Sequence, residues 1–218
     1  MTRRLRVQVV ERALVASASL AAGLAPHFEV VSHGADVAVV DLNTAAQPAE
    51  PLVRSLCQSG ARVLALASSP DAALIGAAIR AGAEGFLAGV RDYDELAAAL
   101  ENLAAGREVF GPEVTLAFAD PQAEALEIID AADWEIEPVR ARQHADAPIS
   151  TREEQILRMV ATGHSSQSIA RVLRISVPTV RKHRENLMRK LGLHNIAQVT
   201  AFALRRNLLA TPGAPGVT

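Results

Sequence analysis

The chain has 218 residues, of which half are hydrophobic and only 3% aromatic, and it carries a net charge of −2. This length allows one or two ordinary domains, and the scarcity of aromatic residues predicts a core of Leu, Val, Ile and Ala. A single cysteine, Cys57, excludes an internal disulfide framework and a multi-cysteine metal site. No run of about 18 apolar residues occurs, so we expect no membrane span, a cytoplasmic location and no cofactor.

Short apolar runs alternate with segments of helical pattern over the first hundred residues. The predicted strands are 5–11, 28–31, 37–42, 61–69 and 84–89, and the predicted helices are 13–24, 48–60, 71–83 and 92–106. Asp92 or Asp94 lies at the N-terminus of the last of these helices. Because strands and helices alternate and the strands are apolar throughout, the pattern predicts a doubly wound α/β domain with a parallel sheet covered on both faces.

The rest of the chain consists of three segments that differ in composition. Residues 119–148 are rich in acids and punctuated by prolines, which is typical of a linker, and we expect the Pro/Gly-rich tail 211–218 to be disordered. Residues 149–210 contain eleven Arg and Lys against three acids, a net +8, whereas the remainder has eleven basic and 21 acidic residues, a net −10. A basic module beside an acidic domain (1–118) predicts a unit that binds a polyanion.

Four helices are predicted in the basic module. Ser150 and Glu153 form an S-x-x-E capping box before the first, and Ser165 and Ser176 cap the second and third. The fourth is IAQVTAFALRRNLL, which follows Gly192. Only the short turn RIS separates the second helix from the third, and this spacing is typical of a helix-turn-helix.

The third helix has two different sides. Its apolar side, which should face the core, carries Val180, Leu187 and Leu191. Its opposite side is basic and comprises Arg181, Lys182, Glu185 and Arg189. Such a helix suits the major groove of DNA, where Arg and Lys donate to guanine O6 and N7. Glu185 either accepts from cytosine N4 or restrains Arg181 through an i, i+4 contact.

Residues 149–206 resemble the LuxR-type helix-turn-helix of the NarL/FixJ family. The matching segments are ISTREEQIL, the Gly163 turn, SIARVLRIS and TVRKHRENLMRKLG. The resemblance implies that Thr179, His183 and Lys190 contact phosphates, that the basic side approaches base edges, and that dimers form through the fourth helix, around 195–205. The full set of expected DNA-binding residues is Ser176, Thr179, Val180, Arg181, Lys182, His183, Arg184, Glu185 and Lys190.

A β-α domain ahead of this module resembles a response-regulator receiver, which has a flavodoxin-like fold. In that family an acidic pair binds Mg²⁺, an aspartate accepts the phosphoryl group, and a hydroxyl residue and a lysine hold its oxygens. The matching positions form a degenerate pocket: Asp41 as acceptor, Glu11 and Arg12 for the acidic pair, Ala67 and Ser68 for the hydroxyl residue, and Gly89 for the lysine. The loss of these charged groups predicts that Asp41 is not phosphorylated at a useful rate.

Three roles stay open for Asp41: capping a loop, pairing with Arg12, or accepting a phosphoryl group. A second departure from the receiver pattern lies between the second and third strands. Only SHGA separates FEVV from DVAVV, so the second helix should be absent or reduced to a turn.

The sequence therefore predicts an atypical NarL/FixJ-type response regulator that binds double-stranded DNA as a homodimer and is not an enzyme. Its further candidate partners are RNA polymerase and a small-molecule effector, with control by abundance as another route. One alternative is a two-component regulator activated by phosphorylation of Asp41. The others are an α/β enzyme fused to a DNA-binding module, which the lack of a G-x-G after the first strand disfavours, and a sigma-factor-like module, which the receiver-like half disfavours.

Overall fold

The computed structural model describes residues 4–10, 16–43, 49–90, 92–119 and 148–209. Glu11 and Arg12, most of the predicted linker and the predicted tail lie outside the described residues. The chain divides into two compact units, Met1–Gly111 and Pro112–Thr218.

One parallel sheet organises the N-terminal unit. In its described residues the strands are β1 (Arg6–Val10), β2 (Glu29–Val30), β3 (Val37–Asp41), β4 (Arg62–Ala67), β5 (Gly85–Ala88) and β6 (Val109–Phe110). The helices are α1 (Ala16–Leu24), α2 (Ala49–Gln58), α3 (Ala72–Ala81) and α4 (Tyr93–Ala104). All strand pairs are parallel in the order β2-β1-β3-β4-β5-β6, which confirms the predicted doubly wound α/β fold. The two-residue strand β6 was not predicted.

The central strands are buried because their sequences are apolar at almost every position. Val37 to Val40 of β3 are fully buried, and most of β4 and β5 is buried as well. Side chains on both faces of a parallel sheet must be covered, so these strands cannot alternate between apolar and polar residues. Of the two candidate caps of α4, Asp92 is the N-cap, and its carboxylate accepts from the backbone N–H of Asp94.

The connection between β2 and β3 contains no helix, as predicted. All residues between Val30 and Val37 are described, and they cross over as a tight loop held by Arg6. The Arg6 backbone N–H donates to the Asp36 carboxylate (3.1 Å), and the Arg6 guanidinium donates to the His33 carbonyl (3.2 Å). Gly34 has φ +65°, and a Cβ there would lie 3.3 Å from the Arg6 guanidinium. Hydrogen bonds from Arg6 of β1 thus hold this connection in place without a helix.

The C-terminal unit is helical. Its helices are α5 (Pro112–Leu116), α6 (Thr151–Ala161), α7 (Ser166–Leu173), α8 (Val177–Leu191) and α9 (Ile196–Arg205). The last four are the predicted helices, and the capping box of Ser150 with Glu153 is present. They enclose a core that includes Ile156, Ile169, Leu187 and Phe202. In the described part of the chain, no helix is both long and apolar enough to cross a lipid bilayer.

The boundary between the two units lies earlier in the chain than predicted, because α5 belongs to the C-terminal unit. We expected the first domain to extend to residue 118, yet the chain from Pro112 onward belongs to the C-terminal unit. Val114, Thr115 and Phe118 are buried, and α5 packs on α9, where Thr115 Oγ1 lies 3.2 Å from Thr200 Oγ1. This packing is not visible in the sequence pattern, because five residues are too few to show a helical period.

Helix α9 is buried on two opposite sides. Val199, Phe202 and Ala203 pack in the core shared with α6, α7 and α8. Ala197, Ala201 and Leu204 are also buried, and the helical repeat of 3.6 residues places them on the other side. The helix that the resemblance implies for dimerisation therefore has no fully exposed residue in this structure.

We expect Asp36→Ala to lower the free energy of unfolding of the N-terminal unit by about 1–2 kcal/mol, because it leaves the Arg6 N–H without its carboxylate acceptor. The measurement is a urea titration followed by hydrogen exchange of peptides that cover β1 and β3. Glu29→Ala, an exposed site on the neighbouring strand β2, is the control and should change stability by less than about 0.5 kcal/mol. Equal effects of the two substitutions would contradict the role of Asp36.

Candidate nucleic-acid interface and strand-end site

The turn between α7 and α8 is built by local capping. Helix α7 ends at Leu173, and Arg174 closes it in the left-handed conformation, with φ 53°. Ser176 then caps α8: its Oγ accepts from the Thr179 N–H (3.2 Å) and lies 2.7 Å from Thr179 Oγ1. Three residues therefore join the two helices, and the predicted helix-turn-helix is present.

The two predicted sides of α8 are found in the structure. Val180, Leu187 and Leu191 are buried in the core. The exposed side carries Arg181, Lys182, Glu185 and Arg189. The inclusion of Val180 among the DNA-contacting residues is wrong, because its side chain is completely enclosed by the helical core.

Two of the predicted DNA-binding residues make hydrogen bonds to other helices of the unit. The half-buried Arg184 donates to Ser166 Oγ on α7 (2.7 Å), so it holds α8 against the start of that helix. Lys190 donates to the Glu153 carboxylate on α6 (3.0 Å). Both cations therefore have protein partners in this structure. The exposed cations on α8 are Arg181, Lys182 and Arg189.

An open depression of about 390 Å³ lies beside these residues on α8. It is lined by Pro178, Thr179, Lys182, His183 and Asn186. Asn186 is absent from the predicted interface, although it follows Lys182 by four residues and therefore shares its side of the helix. Its Oδ1 accepts from the Arg189 guanidinium (2.7 Å). Asparagine is a common reader of adenine, so Asn186 extends the set of candidate base contacts.

The carboxyl ends of β3, β4 and β5 meet at one edge of the sheet. Register places Asp41 beside Leu66, and Ala67 beside Ala88. Asp41, Ala67, Ser68 and Gly89 therefore lie at the same edge, as predicted. The structure gives no position for Glu11 or Arg12, which lie outside the described residues, so the predicted ion pair of Arg12 with Asp41 stays a prediction.

Asn43 connects Asp41 to Ser68. The Asn43 backbone N–H and its Nδ2–H both donate to Asp41 Oδ1, at 2.9 and 2.7 Å. The Asn43 Oδ1 in turn accepts from the Ser68 N–H (2.7 Å) and the Ser68 hydroxyl (2.8 Å). Asn43 was not among the predicted site residues, because nothing in a strand pattern identifies which loop amide turns back onto the strand end.

Two described pocket positions, Ala67 and Gly89, lack the groups that hold a phosphoryl oxygen in receivers. Ala67 has no hydroxyl, and Gly89 has no side chain and adopts φ +66°. Its backbone N–H donates to the Ala67 carbonyl (2.9 Å), so this turn is tied to β4. A lysine at residue 89 would have to adopt a left-handed backbone, which L residues rarely do.

Magnesium binding requires several oxygen ligands, and most protein sites for it use carboxylates. Asn43 already donates twice to one oxygen of Asp41. Within the residues that the structure describes, no three His, Cys, Asp or Glu side chains form a group that could hold a metal ion. The described residues at this edge therefore do not fit the Mg²⁺ site of a receiver.

Glu153 holds α6 and α8 together at their ends. Its carboxylate accepts from the Ser150 N–H (2.8 Å) in the capping box as well as from Lys190. These contacts lower the pKa of Glu153, the hydrogen bond from the Ser150 backbone having the largest effect and that from Lys190 the next. The charged carboxylate is therefore favoured in the folded protein.

Glu153→Gln should make the C-terminal unit less sensitive to acid. Because the folded pKa of Glu153 is lowered, its charge stabilises the fold above the ordinary glutamate value, and this stability is lost as the pH falls through the lowered pKa. We expect Tm to fall less in the variant than in the wild type between about pH 6 and about pH 3. Glu154→Gln on the same helix is the control, because its pair with Arg158 is more exposed. Identical pH profiles for the wild type and Glu153→Gln would contradict this role.

Comparison with known proteins identifies relatives of both units. Residues 147–203 match the model described as bacterial regulatory proteins, luxR family. The Fimbriae Z protein of Salmonella typhimurium is 31% identical over 178 residues, which are 80% of this chain and 76% of that protein. The Probable transcriptional regulatory protein NarL of Mycobacterium tuberculosis is 30% identical over 149 residues, 68% of this chain and 61% of that protein.

A solved structure, the response regulator ChrA of a heme-sensing two-component system, has a TM-score of 0.44 and 27% identity, and the match covers 94% of this chain and 99% of that one. The Fimbriae Z protein match spans most of both chains, and the luxR-family match contains the helix-turn-helix formed by α7 and α8. The chain therefore belongs to the luxR family of bacterial regulatory proteins, among the response regulators of NarL/FixJ type.

Proposed function

We propose that this protein regulates transcription by binding specific DNA sequences in the cytoplasm as a homodimer, without enzymatic activity. The observation that carries the proposal is the exposed basic side of α8 behind a three-residue turn. A helix held in this way enters the major groove, where its exposed side chains meet base edges. The name of the NarL relative, a transcriptional regulatory protein, supports the same function.

Each exposed group on α8 has a matching chemistry on DNA. Arg181 and Lys182 donate to guanine O6 and N7, and Asn186 pairs with adenine. Glu185 accepts from cytosine N4 or restrains Arg181 one turn away. Ser176, Thr179 and His183 lie at the end and flank of the helix, where they contact phosphates and set its register.

The positive charge of the C-terminal module adds an attraction to DNA that does not depend on the base sequence. Residues 149–210 carry a net +8. Neutralising DNA phosphates releases bound counterions, so the affinity should fall steeply as salt rises. Specificity then rests on the few side chains of α8 that reach base edges.

We further propose that control does not depend on conventional phosphorylation of Asp41. Phosphoryl transfer needs positive charge around the transferring group, and the described strand ends offer Ala67 and Gly89 at positions where receivers have a hydroxyl residue and a lysine. The hydrogen bonds of Asn43 also occupy one oxygen of the acceptor carboxylate. A small-molecule effector or the abundance of the protein would then set its activity.

The alternative is a two-component regulator that is phosphorylated on Asp41. One observation favours it: the half-buried Asp41 lies at the end of β3, and its network already includes the Ser68 hydroxyl. This alternative requires Mg²⁺ and a phosphodonor, so it is open to direct test.

Arg181→Ala and Lys182→Ala should each weaken binding to a duplex that the wild type selects from a random-sequence library. We expect a loss of about 1–3 kcal/mol, roughly five- to 150-fold in Kd, in a gel-shift titration at fixed salt. Arg158→Ala removes the same charge from α6, where Arg158 pairs with Glu154, and should change Kd by less than about fivefold. Wild-type affinity in both α8 variants would show that another surface binds DNA.

Incubation with acetyl phosphate and Mg²⁺ should leave the wild type unphosphorylated, as judged by intact mass and phosphate-affinity gels. Asp41→Asn keeps an oxygen that accepts from Asn43, so the fold should be retained and DNA affinity should match the wild type within about twofold. Strong Mg²⁺-dependent phosphorylation that disappears in Asp41→Asn would establish the alternative.

A further inference from the structure

We propose that Arg174, in the turn between α7 and α8, is a further DNA-binding residue whose guanidinium binds a phosphate of the duplex backbone. The inference rests on the proposed function and extends it, because Arg174 lies outside the predicted set of DNA-binding residues. Its ligand is a phosphodiester, which every DNA sequence presents. Arg174 should therefore add affinity and fix the position of α8 in the groove without selecting bases.

The backbone of Arg174 adopts a conformation that arginine rarely takes. Its φ of 53° lies in the left-handed region, where glycine or asparagine usually closes a helix. In the described part of the chain, the only other residue besides glycine with a positive φ is Asn207, also at 53°. A glycine would take this conformation at no steric cost. The geometry of the turn thus does not explain why an arginine stands there.

The side chain of Arg174 is exposed and has no partner among the residues that the structure describes. Several other arginines lie between 148 and 209, and each of them except Arg181 has a hydrogen-bond, ring or electrostatic partner in the described chain. Arg174 and Arg181 are therefore the two whose guanidinium donors face solvent or a ligand. Both lie next to the start of α8, before it and in its first turns.

The turn is held on both sides of Arg174. Arg152 on α6 donates to the carbonyl of Leu173, the residue directly before it (3.2 Å). The N–H of Ile175, the residue directly after it, donates to the Ala170 carbonyl on α7 (3.1 Å). A cation on a backbone that is already fixed loses less conformational freedom on binding than one on a mobile loop.

The place of Arg174 before α8 favours a phosphate as its ligand. It lies two residues before Ser176, the N-cap of α8, and so outside the part of the helix whose side chains meet base edges. Groups at the end of a helix in the major groove contact the sugar-phosphate backbone along the groove. A guanidinium suits this ligand, because two parallel N–H groups match two phosphate oxygens.

Arg174→Gly tests the proposal because it removes the cation and keeps the left-handed backbone. We expect the full-length variant to keep its Tm within about 3 °C of the wild type and to bind DNA about five- to tenfold more weakly at about 0.1 M salt. A gel-shift titration should show the same loss on the duplex that the wild type selects and on a scrambled duplex, since phosphates carry no sequence. A folded Arg174→Gly protein with wild-type affinity would refute the proposal.

The salt dependence separates a phosphate contact from an effect on the fold. With one contact fewer, the plot of log K against log salt concentration should become shallower by about one unit in Arg174→Gly. Arg174→Lys keeps the charge and the backbone cost of a side chain, so it should restore the slope. An unchanged slope in the glycine variant, or an equally shallow slope in the lysine variant, would overturn the proposal.

Asn207→Gly is the matched control, because it makes the same backbone change at the same φ without removing a charge. It should bind both duplexes as the wild type does, with the same salt slope. Should Arg174→Gly not fold, Arg174→Asn decides by the same two measurements, since asparagine also tolerates the left-handed backbone.

The outcomes separate this inference from the proposed function. If the wild type binds no duplex, the proposed function fails and this inference fails with it. If the wild type binds its selected duplex and Arg181→Ala weakens that binding, while Arg174→Gly changes neither Kd nor the salt slope, only the inference about Arg174 fails.

Discussion

The burial of one apolar stripe of α8 decides what the rest of the C-terminal unit can do. Val180, Leu187 and Leu191 lie in the core, and the opposite stripe of the same helix is exposed. The charged residues on that opposite side are thereby held in a fixed relation to each other. Ser176 fixes where the helix begins, and Gly192 fixes where it ends.

Two polar contacts join α8 to neighbouring helices, one from the middle of the helix and one near its C-terminal end. Arg184 reaches Ser166 on α7, and Lys190 reaches Glu153 on α6. The ion pair of Lys190 with Glu153 is a modest contact, since partly exposed ion pairs contribute about 1 kcal/mol or less. Arg184 and Lys190 of α8 thus contact other helices of the unit, while Arg181 and Lys182 stay exposed to solvent.

A comparable constraint acts in the N-terminal unit, where a parallel sheet brings successive strand ends to one edge. Receivers use that edge for charge-assisted phosphoryl chemistry. Among the described residues here, the neutral side-chain amide of Asn43 forms hydrogen bonds at this edge. Asn43 donates to Asp41 and accepts from Ser68, so the carboxylate and the hydroxyl are paired through one side chain. Among the described residues of this edge, Asp41 and Ser68 are thus joined by hydrogen bonds to Asn43.

Local signals in the sequence determined the order of the elements, the capping residues, the missing helix before β3, the turn before α8 and the exposed basic side of that helix. Each depends on near neighbours in the chain or on a helical or strand period. Tertiary structure alone decided that Asn43 bridges Asp41 and Ser68, that Arg184 and Lys190 bind other helices, and that α5 packs on α9. These contacts join residues far apart in the chain or in loops without a period, and only the packing of the fold brings their atoms within hydrogen-bonding distance.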